Sequence, residues 1–153
     1  MSAIQETQYV YALDKMNQQV VHGEVSTSKG AAVSGERMHV GLVHKARGTG
    51  SRPHSHPNEQ FNFVLQGTLQ AEIDGKTYLV PKGSVIHIPA NKVHSIIATP
   101  EEDVIFYVCK DTRHSLGNAI AADGKYDGPR YEPGFGPAAS KSSLSTRQER
   151  STG

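Results

Sequence analysis

Apolar residues in the middle of the chain come in short runs closed by turn residues. Residues 38–44 (MHVGLVH) open the series, and 61–65 (FNFVL) is followed by Gln66-Gly67. Residues 68–73 end at Asp74-Gly75, a pair suited to the two-residue hairpin turn in which both central residues have positive φ. Residues 77–80 end at Pro81-Lys82-Gly83 and 84–88 end at Pro89, while 94–98 and 104–109 complete the set. Runs of this length at roughly ten-residue spacing, with no long helical periodicity among them, predict antiparallel strands in an all-β sandwich or small barrel. Only 4–16 and 112–122 have a pattern compatible with short helices. Upstream, 9–13 or 19–25 supplies a strand that covers a sheet edge, of this barrel or of a neighbouring subunit. Residues 26–34, rich in Ser, Gly and Ala, read as a loop. No internal repeat is present.

Composition sharpens the boundaries. Leu, Ile, Val and Phe make up 32 of the 153 residues, close to the rough 20% floor for a folded chain. The average hides an uneven distribution: 21 of the 74 residues from 37 to 110 are of these types, whereas Leu144 is the only one from 137 to 153. The pattern divides the chain into edge-covering strands and a loop (1–36), a barrel core (37–110), an extension packing on the barrel (111–136) and a polar, flexible tail (137–153). Sixteen basic and 15 acidic residues give no basic stripe for nucleic acid. No apolar run reaches the roughly 18–20 residues of a membrane span, and no signal-peptide pattern opens the chain. The one cysteine, Cys109, excludes an internal disulfide or a thiolate metal cage and points to a cytosolic setting.

Against this background the chain carries eight histidines. His54-Ser55-His56 places two imidazoles two residues apart, so on an extended chain both rings share one face. Gln60 has the same parity. Glu59 has the other, although a bulge at Pro57 would bring it round as an alternative ligand. His94 opens another strand. Three imidazoles and one side-chain oxygen converging in a barrel suit a divalent transition metal: Fe, Mn, Ni or Zn, one per chain.

The wider spacing carries a resemblance. Gly48, His54, His56, Gln60 and Gly67 are spaced as in the first cupin motif, and Gly83, Pro89, Asn91 and His94 as in the second. The chain resembles a single-domain cupin over about 37–110. That resemblance implies an antiparallel jelly-roll barrel, or double-stranded β-helix, with few helices and a metal at its mouth. The chain departs from the family pattern at Gln60, where a Glu ligand is usual, at Asn91 in place of the turn Gly, and at Ala98 in place of Asn. Asn91 suits a positive φ. Gln60 would leave the ligand shell neutral and the metal's charge undiminished, which favours an anionic substrate.

Other residues are assigned from strand parity and from the same resemblance. His22, His39 and His44 read as surface or satisfied core residues. His87 alternates with Val85 and could reach the cavity, while His114 could lie at the mouth. On the last core strand Tyr107 and Cys109 share one face and Phe106 and Val108 the other. Tyr107 and His87 are the candidate proton-transfer residues; Arg113, Arg52, Asn62 and Cys109 are the candidate substrate contacts, with Arg113 suited to a bidentate grip on a carboxylate. The run from His54 to Gln60 is most similar to the pectin-degradation cupins, which use a Gln ligand. Anchored on Arg113, the Asp and Phe of their last core strand are replaced here by Tyr107 and Cys109.

These readings predict a metal-dependent enzyme acting on a small carboxylate, carbonyl or enolate by Lewis-acid and proton-transfer chemistry, of isomerase, cyclase or lyase type. A non-haem dioxygenase cleaving an aromatic or diketone-like substrate needs the same open coordination site and is the alternative. A non-catalytic ligand-binding barrel is the second. The expected partners are a small-molecule substrate and a second copy in a homodimer, with no nucleic acid and no membrane.

Overall fold

The computed structural model describes residues 8–137. Two antiparallel sheets face each other. The first runs β1 (Gln19–Val20), β2 (Lys29–Ser34), β3 (Met38–Lys45), β11 (Val104–Asp111), β6 (Gln60–Gln66) and β9 (Val85–Ile88). The second runs β12 (Ile120–Ala121), β5 (His54–Ser55), β10 (His94–Ala98), β4 (Thr49–Gly50) and β13 (Arg130–Tyr131). The hairpin of β7 (Thr68–Ile73) and β8 (Lys76–Pro81) joins this sheet along β10. All pairings are antiparallel, so the jelly-roll barrel expected from the sequence is the fold.

Local chemistry explains the agreement. Asp74 and Gly75 turn the β7–β8 hairpin at φ 50° and 80°, the left-handed pair that the sequence required. Alternation decides which side of each strand is buried. On β6, Gln60, Asn62 and Val64 face inward while Phe61 and Phe63 face out. On β11, Phe106, Val108 and Lys110 face inward and Tyr107 outward. The inward apolar residues, Val43, Val64, Leu69, Ile88, Ile96 and Phe106 among them, pack into one core between the sheets.

Three expectations are corrected. Residues 29–34 of the predicted loop form β2, because small side chains serve close packing as well as turns: a Cβ on Gly30 would run into the Leu42 carbonyl. The predicted helix at 112–122 does not form. Its carbonyls are taken by side chains from the barrel: Leu116 O accepts from Lys110 Nζ, and His114 O accepts from Asn58 Nδ2. Of the predicted helix at 4–16, a single 3₁₀ turn at Leu13–Lys15 is present, and residues 1–7 lie outside the described residues. No strand forms at 9–13, while β1 covers the edge of β2 as a two-residue strand. Of the predicted tail at 137–153, residues 138–153 also lie outside the described residues. Among the described residues no helix is long and apolar enough to cross a membrane.

Candidate metal centre

His54 on β5 and His94 on β10 are paired directly across the second sheet, and their ring centroids lie 4.3 Å apart. His56 completes the group from the turn after β5, 4.9 Å from His94 and 6.0 Å from His54. One ring nitrogen from each lies within 4.8 Å of the others, the spacing of a shared metal ion. All three rings are buried.

The backbone orients each ring in the same way. His54 Nδ1 donates to Arg52 O at 2.6 Å, His56 Nδ1 to Asn58 O at 3.0 Å, and His94 Nδ1 to Lys92 O at 2.8 Å. A neutral imidazole has one N–H, so donation from Nδ1 leaves Nε2 as the free lone pair. Burial, foremost, keeps these rings neutral: His54 is lowered to about 2, and His56 and His94 to about 4. They need lose no proton at neutral pH before accepting a cation.

His56 supplies the fit test. Its Nδ1 faces the Asn58 carbonyl, and its Nε2 faces Gln60 Oε1 at 2.9 Å. One N–H cannot serve two oxygens; a cation between Nε2 and Oε1 resolves the conflict, as does a reversed Gln60 amide. A metal held by Nε2 and Oε1 would satisfy both. The donor set of three imidazoles and an amide oxygen suits a borderline divalent ion. Gln60 is held in turn by donating through Nε2 to Asn62 Oδ1 at 2.9 Å. Glu59 points away, its carboxylate bonded to His87 Nε2 at 2.8 Å on the outside of the sheet.

His54 and His94 open onto a cavity of about 540 Å³, within the range of small-ligand sites. His54, His94, Gln60 and Asn62 line it, with Val43, Ile96, Phe106 and Val108 as apolar wall. Met16, Asn17 and residues 19–22, around β1, line one side, and Leu116 and Gly117 another. No aspartate or glutamate is among the lining residues.

Three lining residues escape the sequence assignment. Lys45 on β3 is only 3% exposed; its Nζ donates to Ile96 O at 3.3 Å and sits 5.9 Å from the Phe106 ring centroid. Burial, then the positive charge of Lys110, lowers Lys45 to about 7. Lys110 on β11 is 6% exposed, donates to Leu116 O at 3.1 Å, and is lowered by burial to about 8. The signal was available as parity, since Lys45 alternates with Val43 and Lys110 with Val108. The third is His22, at φ 58°, whose Nε2 meets Leu116 O at 3.3 Å. It is a satisfied histidine as expected, yet it lines the cavity, and burial lowers it to about 4.

Several assigned residues lie elsewhere. Tyr107 and Cys109 occupy the outer face of β11, where Tyr107 is 40% exposed opposite Phe63. Inward orientation belongs to the other parity because Phe106 and Val108 fill the core. His87 is likewise external, stacked on Phe61 with centroids 4.6 Å apart. Arg113 is exposed beyond the strand end and is not among the residues lining the cavity. Arg52 forms an ion pair with Asp123 at 2.6 Å and is also outside the lining. Of the predicted substrate contacts, only Asn62 lines the cavity. His39 reaches back to His114 O at 2.9 Å, and His44 is exposed on the outer face of β3.

Comparison with known proteins agrees with this architecture. No curated protein sequence is detectably similar to the chain. Among solved structures, the polyketide cyclase RemF from Streptomyces resistomycificus has a TM-score of 0.64 at 17% identity, over 77% of this chain and 90% of that one. KdgF from Halomonas sp. has a TM-score of 0.60 at 22% identity, over 71% and 97%. The cupin domain of Schizosaccharomyces pombe Cnp3 has a TM-score of 0.55 at 23% identity, over 67% and 72%. At these identities the likeness speaks for the fold alone. The sequence itself matches the family model described as "Cupin domain" over residues 41–119, and the chain therefore belongs to the cupin family.

Proposed function

We propose that this cupin is a metal-dependent enzyme that acts on a small carboxylate, carbonyl or enolate by polarisation and proton transfer, in the isomerase, cyclase or lyase class. The observation that carries the reading is the histidine group itself: three neutral rings are each tied through Nδ1 to a backbone carbonyl, and two of them, His54 and His94, line a cavity with no carboxylate among the described residues. His54, His56 and His94 would hold the ion, with Gln60 Oε1 as fourth donor. When bound, a divalent metal supplies the positive charge that polarises a substrate oxygen.

The chain's own residues supply the rest. Four neutral ligands leave that charge uncompensated, which favours an anionic substrate. The apolar wall of Val43, Ile96, Phe106 and Val108 keeps bulk water away and strengthens every electrostatic contact inside. With Tyr107 and His87 outside, the candidate base is His22. Among the described residues its side chain's only polar partner is a carbonyl, so Nε2 carries the proton and Nδ1 is left to accept one.

The test begins with elemental analysis of protein purified without added metal. Near one equivalent of Fe, Mn, Ni or Zn per chain is expected, and protein that is metal-free and cannot be loaded overturns the reading. Turnover of small oxo-acids, followed with and without O₂, then assigns the reaction class. Equal rates under anaerobic conditions support proton-transfer chemistry. O₂ uptake stoichiometric with substrate loss overturns that class in favour of a dioxygenase. His22→Gln should lower kcat while leaving metal content unchanged.

A further inference from the structure

Lys45 and Lys110 are the cavity's least expected feature. Both are more than nine-tenths buried, both line the cavity that holds His54 and His94, and neither has a carboxylate partner among the described residues. An isolated buried ammonium is costly, and folding alone favours an apolar side chain at such a position. Each lysine has one carbonyl contact, Ile96 O for Lys45 and Leu116 O for Lys110, against three N–H donors per ammonium. The donors in excess have no acidic side chain to meet in the cavity lining.

The two amines reach the site from different ends of one sheet face. Lys45 pairs across β3 and β11 with Val104, six positions before Lys110 on the same strand. At about 3.3 Å per residue their backbones are roughly 20 Å apart, and both side chains line the one cavity on the inner face. Between them, Asn62 is wholly buried, and its Nδ2 is a donor without a partner. The cavity therefore offers two ammonium groups and an unused amide N–H, in addition to the histidine group.

We propose that Lys45, Lys110 and Asn62 form an anion subsite, and that the substrate is a small acid with two anionic groups, one directed to the histidine centre and the other to this subsite. The occupant is of dicarboxylate type, because the donors offered along this inner face are two amines and an amide N–H with no acidic side chain among the described lining residues. This deepens the proposed function and rests on it for the first anionic group. The second depends on the lysines alone. The subsite also takes over the role that the sequence assigned to Arg113.

Isothermal titration of the full-length protein with succinate and with acetate tests the idea. In the zinc-loaded protein succinate should bind at least tenfold more tightly than acetate. Replacing either lysine by Met, and separately by Gln, should reduce that advantage to threefold or less with zinc content unchanged. Two replacement shapes at each position keep the test open should one variant misfold. A succinate advantage that all four variants retain, or no advantage in the wild type, overturns the subsite. The two readings fail separately. If the protein takes up no metal, the proposed function falls; lysine-dependent binding of succinate by the metal-free protein would then uphold the subsite, and its absence would overturn it too.

Discussion

The two faces of the first sheet are built from the same strands and differ by one residue of register. Inward, β3, β11 and β6 present Gly41, Val43 and Lys45, then Phe106, Val108 and Lys110, then Gln60, Asn62 and Val64. Outward, the neighbouring positions present Leu42 and His44, Tyr107 and Cys109, and Phe61 and Phe63. The outer face has the more reactive-looking side chains, a phenol, a thiol and an imidazole stacked on Phe61. The inner face has lysines and amides, which sequence inspection usually assigns to the surface. Burial, rather than residue type, makes the difference. Outside, His87 and Glu59 pair in water, where such a contact contributes little. Inside, an ammonium loses its hydration and becomes an unmet demand for an anion.

The contrast can be broken most directly at the histidine group. His56→Ala should abolish metal loading, measured by elemental analysis, because it removes one of three Nε2 donors and leaves Gln60 Oε1 without its neighbour.

The next largest effect is expected at Lys45. Replacing it with Met removes a buried charge and should stabilise the protein by on the order of 1–4 kcal/mol, raising the melting temperature by several degrees. The pH dependence has a definite sign. Lys45 falls from 10.5 to about 7 in the folded chain, so between those values the unfolded chain holds more protons and stability rises with pH. The penalty is complete below about pH 7 and relieved as pH approaches 10.5. Lys45→Met should flatten that rise, leaving the smaller part due to Lys110. Denaturant melts at pH 7 and pH 10 measure it, and an unchanged slope would mean that Lys45 is hydrated.

Smaller effects are expected outside. His87→Ala should cost less than about 1 kcal/mol and leave metal content unchanged, since its partner Glu59 is itself exposed. Tyr107→Phe should change stability by no more than about 0.5 kcal/mol. Loss of metal in the first variant, or a collapse of stability in the second, would show that the outer face contributes to the site.

How far the site is legible in sequence depends on the range of the interaction concerned. Asp74-Gly75 specifies its turn locally, because few residues tolerate two successive positive φ values. Strand parity predicts a shared direction for His54 and His56, but His56 lies in the turn after β5, where its contact with Asn58 O holds the ring. The stretch 26–34 reads as a loop yet forms β2 over 29–34 for a physical reason: small residues suit loops and also suit a strand pressed against its neighbour, as Gly30 is against Leu42. The stretch 112–122 was ambiguous because its carbonyls have distant partners, Lys110 and Asn58, that no local pattern records. On β11 the sequence divides the strand into two sets but does not say which set is inward.

Taken alone, the sequence determined the strands, the principal turn, the cupin motifs and the three histidines, all of which follow from local spacing and backbone preference. Tertiary structure decided the rest. It turned Tyr107, Cys109 and His87 outward, drew Lys45 and Lys110 inward, and laid His22 and Leu116 along the cavity. Those outcomes depend on which face of a sheet meets the opposing sheet, and that is settled by the packing of the whole barrel rather than by any one strand.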